Sequence, residues 1–220
     1  MKVLVISDTE SPYLWDFFSK DKLGGAEVII SCGDLKAAYL EFLVTMANVP
    51  LVYVHGNHDE TFETKPPEGC DCLEDRVLTV KGLRIAGLGG SMRYNDKSKY
   101  MSTEAEMEKR VKKLCRKIKR AGGLDIFVSH APAKGYGDQE DLAHRGFSCF
   151  HDLLDEFKPS YMFFGHVHKE YGGFQREYIY NEQTKIVNGW GYYLVDVPVE
   201  EGANEASSHK FHRFFRGRGQ

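Results

Sequence analysis

The chain begins MKVLVISD (Met1–Asp8), and the reading of those eight residues decides the fold. Val3 to Ser7 is an apolar, β-branched run without polar alternation, the pattern of a strand buried on both faces. It ends on a carboxylate, Asp8, and a second, Glu10, follows two residues later. In an open α/β sheet such a position lies just beyond the carboxyl end of a strand, where ligands bind. Asp8 is therefore either part of a site or only a polar turn, and the other strand ends decide which.

Five more runs have the same character: VIIS (28–31), LVYVH (51–55), LRIAGL (83–88), DIFVSH (125–130) and YMFFGH (161–166). Helical patterns lie between several of them. Ser11 and Pro12 read as the N-cap and first residue of a helix through YLWDFF. Lys36 to Asn48 has apolar residues at helical spacing. Thr103 to Ala121 has acids in its first turn and bases in its last, as the helix dipole favours. A further helix spans Phe147 to Phe157 and stops before Pro159. Strands alternating with helices predict an α/β domain. GFQREYIY (173–180), TKIVNGW (184–190) and GYYLVDV (191–197) read as successive strands, so the sheet arrangement is mixed. One domain is expected over residues 1–199. Residues 200–220, EEGANEASS followed by HKFHRFFRGRGQ, read as a flexible tail.

A chain of 220 residues with 42% hydrophobic and 28% charged residues is ordinary for one soluble domain. The net charge of −3 gives no reason to expect nucleic acid or membrane as a partner. Five cysteines, an odd number, with no signal-like segment, read as reduced thiols in a cytoplasmic protein. No stretch approaches the ~20 apolar residues that span a bilayer.

The remaining strand ends repeat the pattern of the first. CGDL places Asp34 after Gly33, HGNHDE supplies Asn57, His58 and Asp59, SHAP supplies His130, and GHVH supplies His166 and His168. A lone buried histidine is more often a satisfied core residue than a ligand. Five strand ends carrying carboxylate, amide and imidazole by one topological rule point instead to a metal site. Without a thiolate, the donor set suits Mn²⁺, Fe or Zn²⁺ rather than a structural zinc cage. Six or seven ligands suit two ions ~3.5–4 Å apart, bridged by a carboxylate and a water. Such a pair serves in-line attack of a hydroxide on phosphorus.

These motifs, in this order from Asp8 to His168, resemble the calcineurin-like metallophosphoesterase superfamily. The resemblance implies a four-layer αββα sandwich of two mixed β-sheets flanked by helices, with the site at one edge. It further implies that Asp8 and His168 bind a first metal, that Asn57, His130 and His166 bind a second, and that Asp34 bridges. His58 would protonate the leaving oxygen or hold the phosphate; an alkoxide leaving group needs a proton, and histidine is the residue type most often used to give one. The departure is Glu10, which stands where the family usually has the histidine of D-x-H. Three readings stay open: an oxygen ligand in place of that histidine, a contact through water, or a weakened first site. As a ligand, Glu10 would make the centre electrically neutral, where a histidine would leave one positive charge. That favours harder ions, Mn²⁺ or Mg²⁺, and an alkaline optimum.

Substrate signals are thinner. Arg93, in LGGSMRYN, and Arg145, in LAHRGF, could clamp a phosphate, or be ordinary surface arginines. His144 and Tyr94 carry the same ambiguity. Cys70-Asp71-Cys72 reads as free thiols. The basic helix Thr103 to Ala121 reads as a solvated face, because acids balance its first half. GDLKAAY has no arginine of the GDxxDRG kind that protein phosphatases of the superfamily carry. The reading is a metal-dependent phosphodiesterase or phosphatase for a small phosphorylated, nucleotide-like substrate. The alternative is a non-catalytic metal-binding scaffold on the same fold, supported by the altered Glu10 alone. A nuclease would need a basic groove that the net charge does not suggest.

Overall fold

A computed structural model describes residues 1–168 and 174–199; the expected tail lies outside the described residues. Among these residues, thirteen strands and three α-helices follow one another as β1 (Lys2–Ser7), β2 (Val28–Ser31), α1 (Ala37–Ala47), β3 (Leu51–Tyr53), β4 (Asp71–Cys72), β5 (Arg76–Val80), β6 (Leu83–Leu88), β7 (Ser91–Met92), β8 (Met101–Ser102), α2 (Glu104–Arg120), β9 (Ile126–Ser129), α3 (Phe150–Phe157), β10 (Tyr161–Phe164), β11 (Glu177–Tyr180), β12 (Thr184–Asn188) and β13 (Gly191–Asp196).

The first sheet has the order β13-β1-β2-β3-β4, and the second β11-β12-β10-β9-β6-β5. Both are mixed: β1 runs parallel to β2 but antiparallel to β13, and β12 parallel to β10 but antiparallel to β11. β7 and β8 form a separate parallel pair. The uninterrupted apolar runs are explained by the layering. In β1, Val3 and Val5 point inward with Val28, Ile30 and Val52 to meet Ile126, Val128, Phe163 and Val187 of the second sheet. Leu4 and Ile6 point outward, against Tyr39, Leu40 and Leu43 of α1. Phe127, Met162 and Phe164 of the second sheet face Met107, Val111 and Leu114 of α2 and Leu153 and Leu154 of α3. Strands with a helix layer on one side and a second sheet on the other have no wet face, so period-two alternation never develops. This is the expected four-layer αββα sandwich.

Helix ends follow local chemistry. Thr103 and Glu106 close a capping box at the start of α2. Asn48 ends α1, and Lys158 ends α3, in the left-handed conformation. The helix expected through YLWDFF is a series of turns instead: the Ser11 carbonyl accepts from the N–H groups of both Leu14 and Trp15, and Pro12 from Phe17. Trp15 and Phe18 pack on Phe42 of α1, and this tertiary contact overrides the local signal. Helix α3 starts at Phe150 rather than Phe147, because Phe147 bridges to Ala133.

Candidate metal centre

The site is assembled where β1, β2, β3, β9 and β10 end. Three of the residues just past those ends have left-handed backbones: Asp8 (φ 63°), Asp34 (φ 56°) and His166 (φ 68°). Non-glycine residues take this conformation at a cost of roughly 1–3 kcal/mol each and cluster at functional sites. Gly33 (φ 98°) and Gly56 allow the ends of β2 and β3 to approach: a Cβ on Gly33 would strike the Gly56 backbone, and one on Gly56 the Asp34 carboxylate.

Asp8, almost fully buried, accepts the His166 N–H at 3.0 and 2.9 Å and lies 3.3 Å from His168 Nε2. Asp34 accepts the His58 N–H through Oδ1 at 2.8 Å, and its Oδ2 lies 3.3 Å from His130 Nε2. Buried Asp59 accepts the N–H groups of Asp34 (2.9 Å) and Gly56 (2.7 Å) through a single oxygen. The ligand atoms of Asp34, His130 and His166 all lie within 4.8 Å of one another.

The donor set fits a cation. His130 Nδ1 is 2.7 Å from the Cys32 carbonyl, which only accepts, so the Nδ1 proton is committed there. Its Nε2 lies 3.0 Å from Asn57 Oδ1 and 3.3 Å from Asp34 Oδ2, and it can present a lone pair to a cation once it gives up its own proton. Asn57 is buried, and its Nδ2 has no partner among the described residues. The amide thus directs its oxygen at His130 and into the site, at the expense of an unpartnered NH2, an orientation in which the oxygen could also serve a cation. His166 likewise commits Nε2 to the Ala143 carbonyl at 2.7 Å, leaving Nδ1 as its donor atom.

The electrostatics agree. Burial disfavours a charged His130, but the Asp34 carboxylate, with Asp8 behind it, overcomes this and holds the imidazole up at about 9. Burial would raise Asp34, and His130 reverses that and brings it down to about 2. Burial, then the charge of His130, pushes His166 down to about 4. Burial, then the charge of Asp34, raises Asp59 to about 6. The protein by itself thus recruits a proton onto His130, at the point where its carboxylates call for positive charge.

An open cleft of about 580 Å³ leads to this centre, bordered by Asp8, Thr9, Glu10, Asp34, Leu35, Lys36, His58, Asp59 and Thr61. Glu10 is in the cleft but pairs with Lys36, through Nζ at 3.2 Å and the backbone N–H at 3.4 Å. Arg93 pairs with Glu106 at 2.9 Å and donates to the Met101 carbonyl, and Arg145 donates to the Glu140 carbonyl. Neither arginine borders the cleft. The His144 ring sits 5.3 Å from that of His166 and is bonded to Asp141.

Several supporting groups had little signal in the sequence. Asp59 stood out at a strand end in GNHD, but its role as acceptor of the Asp34 and Gly56 N–H groups did not. The carbonyls of Cys32 and Ala143 carry no residue-type signal at all. Glu74 accepts the N–H groups of His55 and Gly89 and pairs with Arg110, which itself donates to the Gly89 carbonyl. This buried network ties the ends of β3 and β6 together.

A two-sheet sandwich with carboxylates, an amide and imidazoles converging at one edge defines a metal-binding phosphoesterase-type architecture. A sequence profile described as the calcineurin-like phosphoesterase superfamily domain matches residues 1–189, and the chain belongs to that superfamily. The class is one of metal-dependent phosphoester hydrolysis. Among solved structures, the fold is similar to one crystal structure at 14% identity and a TM-score of 0.64, covering 89% of this chain and 94% of that one. It is also similar to the crystal structure of TT1561 of Thermus thermophilus, at 17% identity and a TM-score of 0.58 with the same coverage. At these identities the likeness concerns the fold. No curated protein sequence matches the chain. Among the described residues, no helix is long and apolar enough to cross a membrane.

Proposed function

We propose that the chain hydrolyses a phosphodiester or phosphomonoester of small, nucleotide-like character, using two divalent ions, with Mn²⁺ preferred. The observation that carries this reading is the convergence of ligand atoms of Asp34, His130 and His166 within 4.8 Å of one another, with Asn57 Oδ1 3.0 Å from His130 Nε2. When bound, the ions supply an activated water and a positive clamp on the charge that develops at phosphorus. In this reading Asp8 and His168 hold one ion, Asn57, His130 and His166 the other, and Asp34 lies between. Asp59 fixes Asp34 through its main chain. His58 is exposed in the cleft and gives its proton to the leaving oxygen. Glu10 joins the first ion by leaving Lys36. Arg93 and Arg145, which do not border the cleft as they stand, would hold substrate phosphate only by leaving their present partners and turning toward it. All five cysteines are free, which supports a cytoplasmic setting.

The test is hydrolysis of a panel of phosphomonoesters, cyclic nucleotides and dinucleotides under several divalent ions, on wild type and His58→Ala. Turnover favoured by Mn²⁺ and reduced at least ~100-fold in the variant is expected, as for loss of a general acid. Two equally inert proteins that still bind metal would instead support the scaffold alternative. No more than one bound ion per chain under saturating Mn²⁺ would refute the two-ion form.

A further inference from the structure

The formal charge of −3 conceals a strong local field. Helix α2 carries eight Lys or Arg residues against three Glu. Four of the eight are engaged: Arg110 with Glu74 and Asp75, Lys112 with Glu108, Lys119 with Glu156, and Lys117 with the Asp75 carbonyl. Lys109 lies outside the groove that borders this helix. Lys113, Arg116 and Arg120 have no ion-pair partner among the described residues, and all three are exposed. They line one groove of about 400 Å³, together with Lys117, Arg110 and Asp75. The single acid in that groove is already bonded to Arg110, at 3.1 Å. The groove shares no lining residue with the cleft that His58 borders.

The helix dipole does not account for this stripe. It favours cations within the last turn, whereas Lys113 and Arg116 stand before it. Unpaired like charges on one helix face repel each other and need a reason to be held together. The unpaired Lys113, Arg116 and Arg120 recur at intervals of three and four residues, so about one free cation is presented per turn, ~5.4 Å apart along the axis. That repeat exceeds the ~3.4 Å between successive phosphates along the axis of a stacked duplex strand, so it suits a strand free to extend rather than a duplex. The lining contains no aromatic or aliphatic residue. The groove therefore offers nothing for a base to stack on and no apolar anchor of the kind a peptide partner uses. Guanidinium forks match phosphate oxygens.

We infer that the groove along α2 is a sequence-independent binding site for the phosphodiester backbone of a single-stranded nucleic acid.

The test is fluorescence anisotropy of end-labelled DNA strands of about 12 nucleotides, one mixed in sequence and one oligo-dT, with the full chain as purified. Runs with and without EDTA separate binding from hydrolysis. Comparable binding of both strands is expected, with a log-affinity against log-salt slope of about −2, three phosphates at ~0.7 each. The triple variant Lys113→Glu, Arg116→Glu, Arg120→Glu should bind at least tenfold more weakly. The neutral set Lys113→Gln, Arg116→Gln, Arg120→Gln should fall between, and a Lys65→Glu, Lys97→Glu control should match wild type. Circular dichroism checks that each variant is folded, and the neutral set carries the test if the reversal set is not. Absence of binding up to roughly 100 µM at low salt, equal binding by wild type and the neutral variant, or equally tight binding of a poly-glutamate peptide of the same length would each overturn the inference.

Discussion

The main-chain N–H of Asp34 lies 2.9 Å from Oδ2 of Asp59, so one buried carboxylate fixes the backbone that aims another. The same oxygen takes the N–H of Gly56, which joins the ends of β2 and β3 across the site. Asp59→Ala would leave two N–H groups without an acceptor, at roughly 1–3 kcal/mol each. Asp59→Asn keeps an acceptor and should lose less. The expected order of melting temperature is wild type, Asn, Ala, with ion affinity following the same order in calorimetric titration. An Ala variant as stable as wild type would show that Asp59 is not the brace.

Ion capture should be pH-dependent. With His130 held up at about 9, an ion that takes Nε2 must displace a proton at neutral pH. Apparent affinity should therefore rise about tenfold per pH unit as pH increases toward 9 and level off above it. Proton release on Mn²⁺ addition, measured in buffers of different ionisation enthalpy, should approach one per chain at pH 7. His130→Ala should abolish both the release and the thermal stabilisation that the ion confers.

Glu10 and Lys36 offer a separable test. If Glu10 leaves Lys36 for the first ion, Lys36→Met frees it and should tighten Mn²⁺ binding severalfold, while Glu10→Gln weakens it. Glu10→His should move metal preference toward Zn²⁺ and the activity optimum toward lower pH. Unchanged ion affinity in all three variants would assign Glu10 to the turn.

Glu74 makes an acid-side prediction. Burial would raise its pKa, but His55 and Arg110 reverse this and hold it below the usual glutamate range. A folded value below the unfolded one stabilises the protein above the unfolded value near ~4.3 and loses that contribution as pH falls through the folded one. Urea midpoints of wild type should therefore drop below about pH 4.3. In Glu74→Gln the midpoint should start lower and fall less, which a pH series of denaturation curves reads directly.

Much of this was legible because the physics was local. The runs in β1, β2 and β6 announce strands buried on both faces, and the carboxyl-end rule locates Asp8, Asp34, Asn57, His130 and His166 together. Acids in its first turn and bases in its last mark the extent of α2. What was not legible depends on distant partners. Trp15 forgoes a helix because Phe42, far along the chain, takes its ring. β4, β7 and β8, two residues each, are too short to leave a periodicity. The ligand-orienting carbonyls belong to Cys32 and Ala143, where any residue type would serve. The α2 stripe was visible as charge, but which cations lacked partners depended on Glu74, Asp75 and Glu156 arriving from elsewhere.

The left-handed backbones of Asp8, Asp34 and His166 bear on how such a protein could be engineered. Their combined strain is a sizeable share of the ~5–15 kcal/mol by which a domain of this kind outlasts unfolding. Searches for heat-tolerant variants should therefore return to this edge of the sandwich, where glycine or asparagine relaxes the chain, and the winners there should be sluggish or dead. Durable variants that keep working would have to come from the opposite edge.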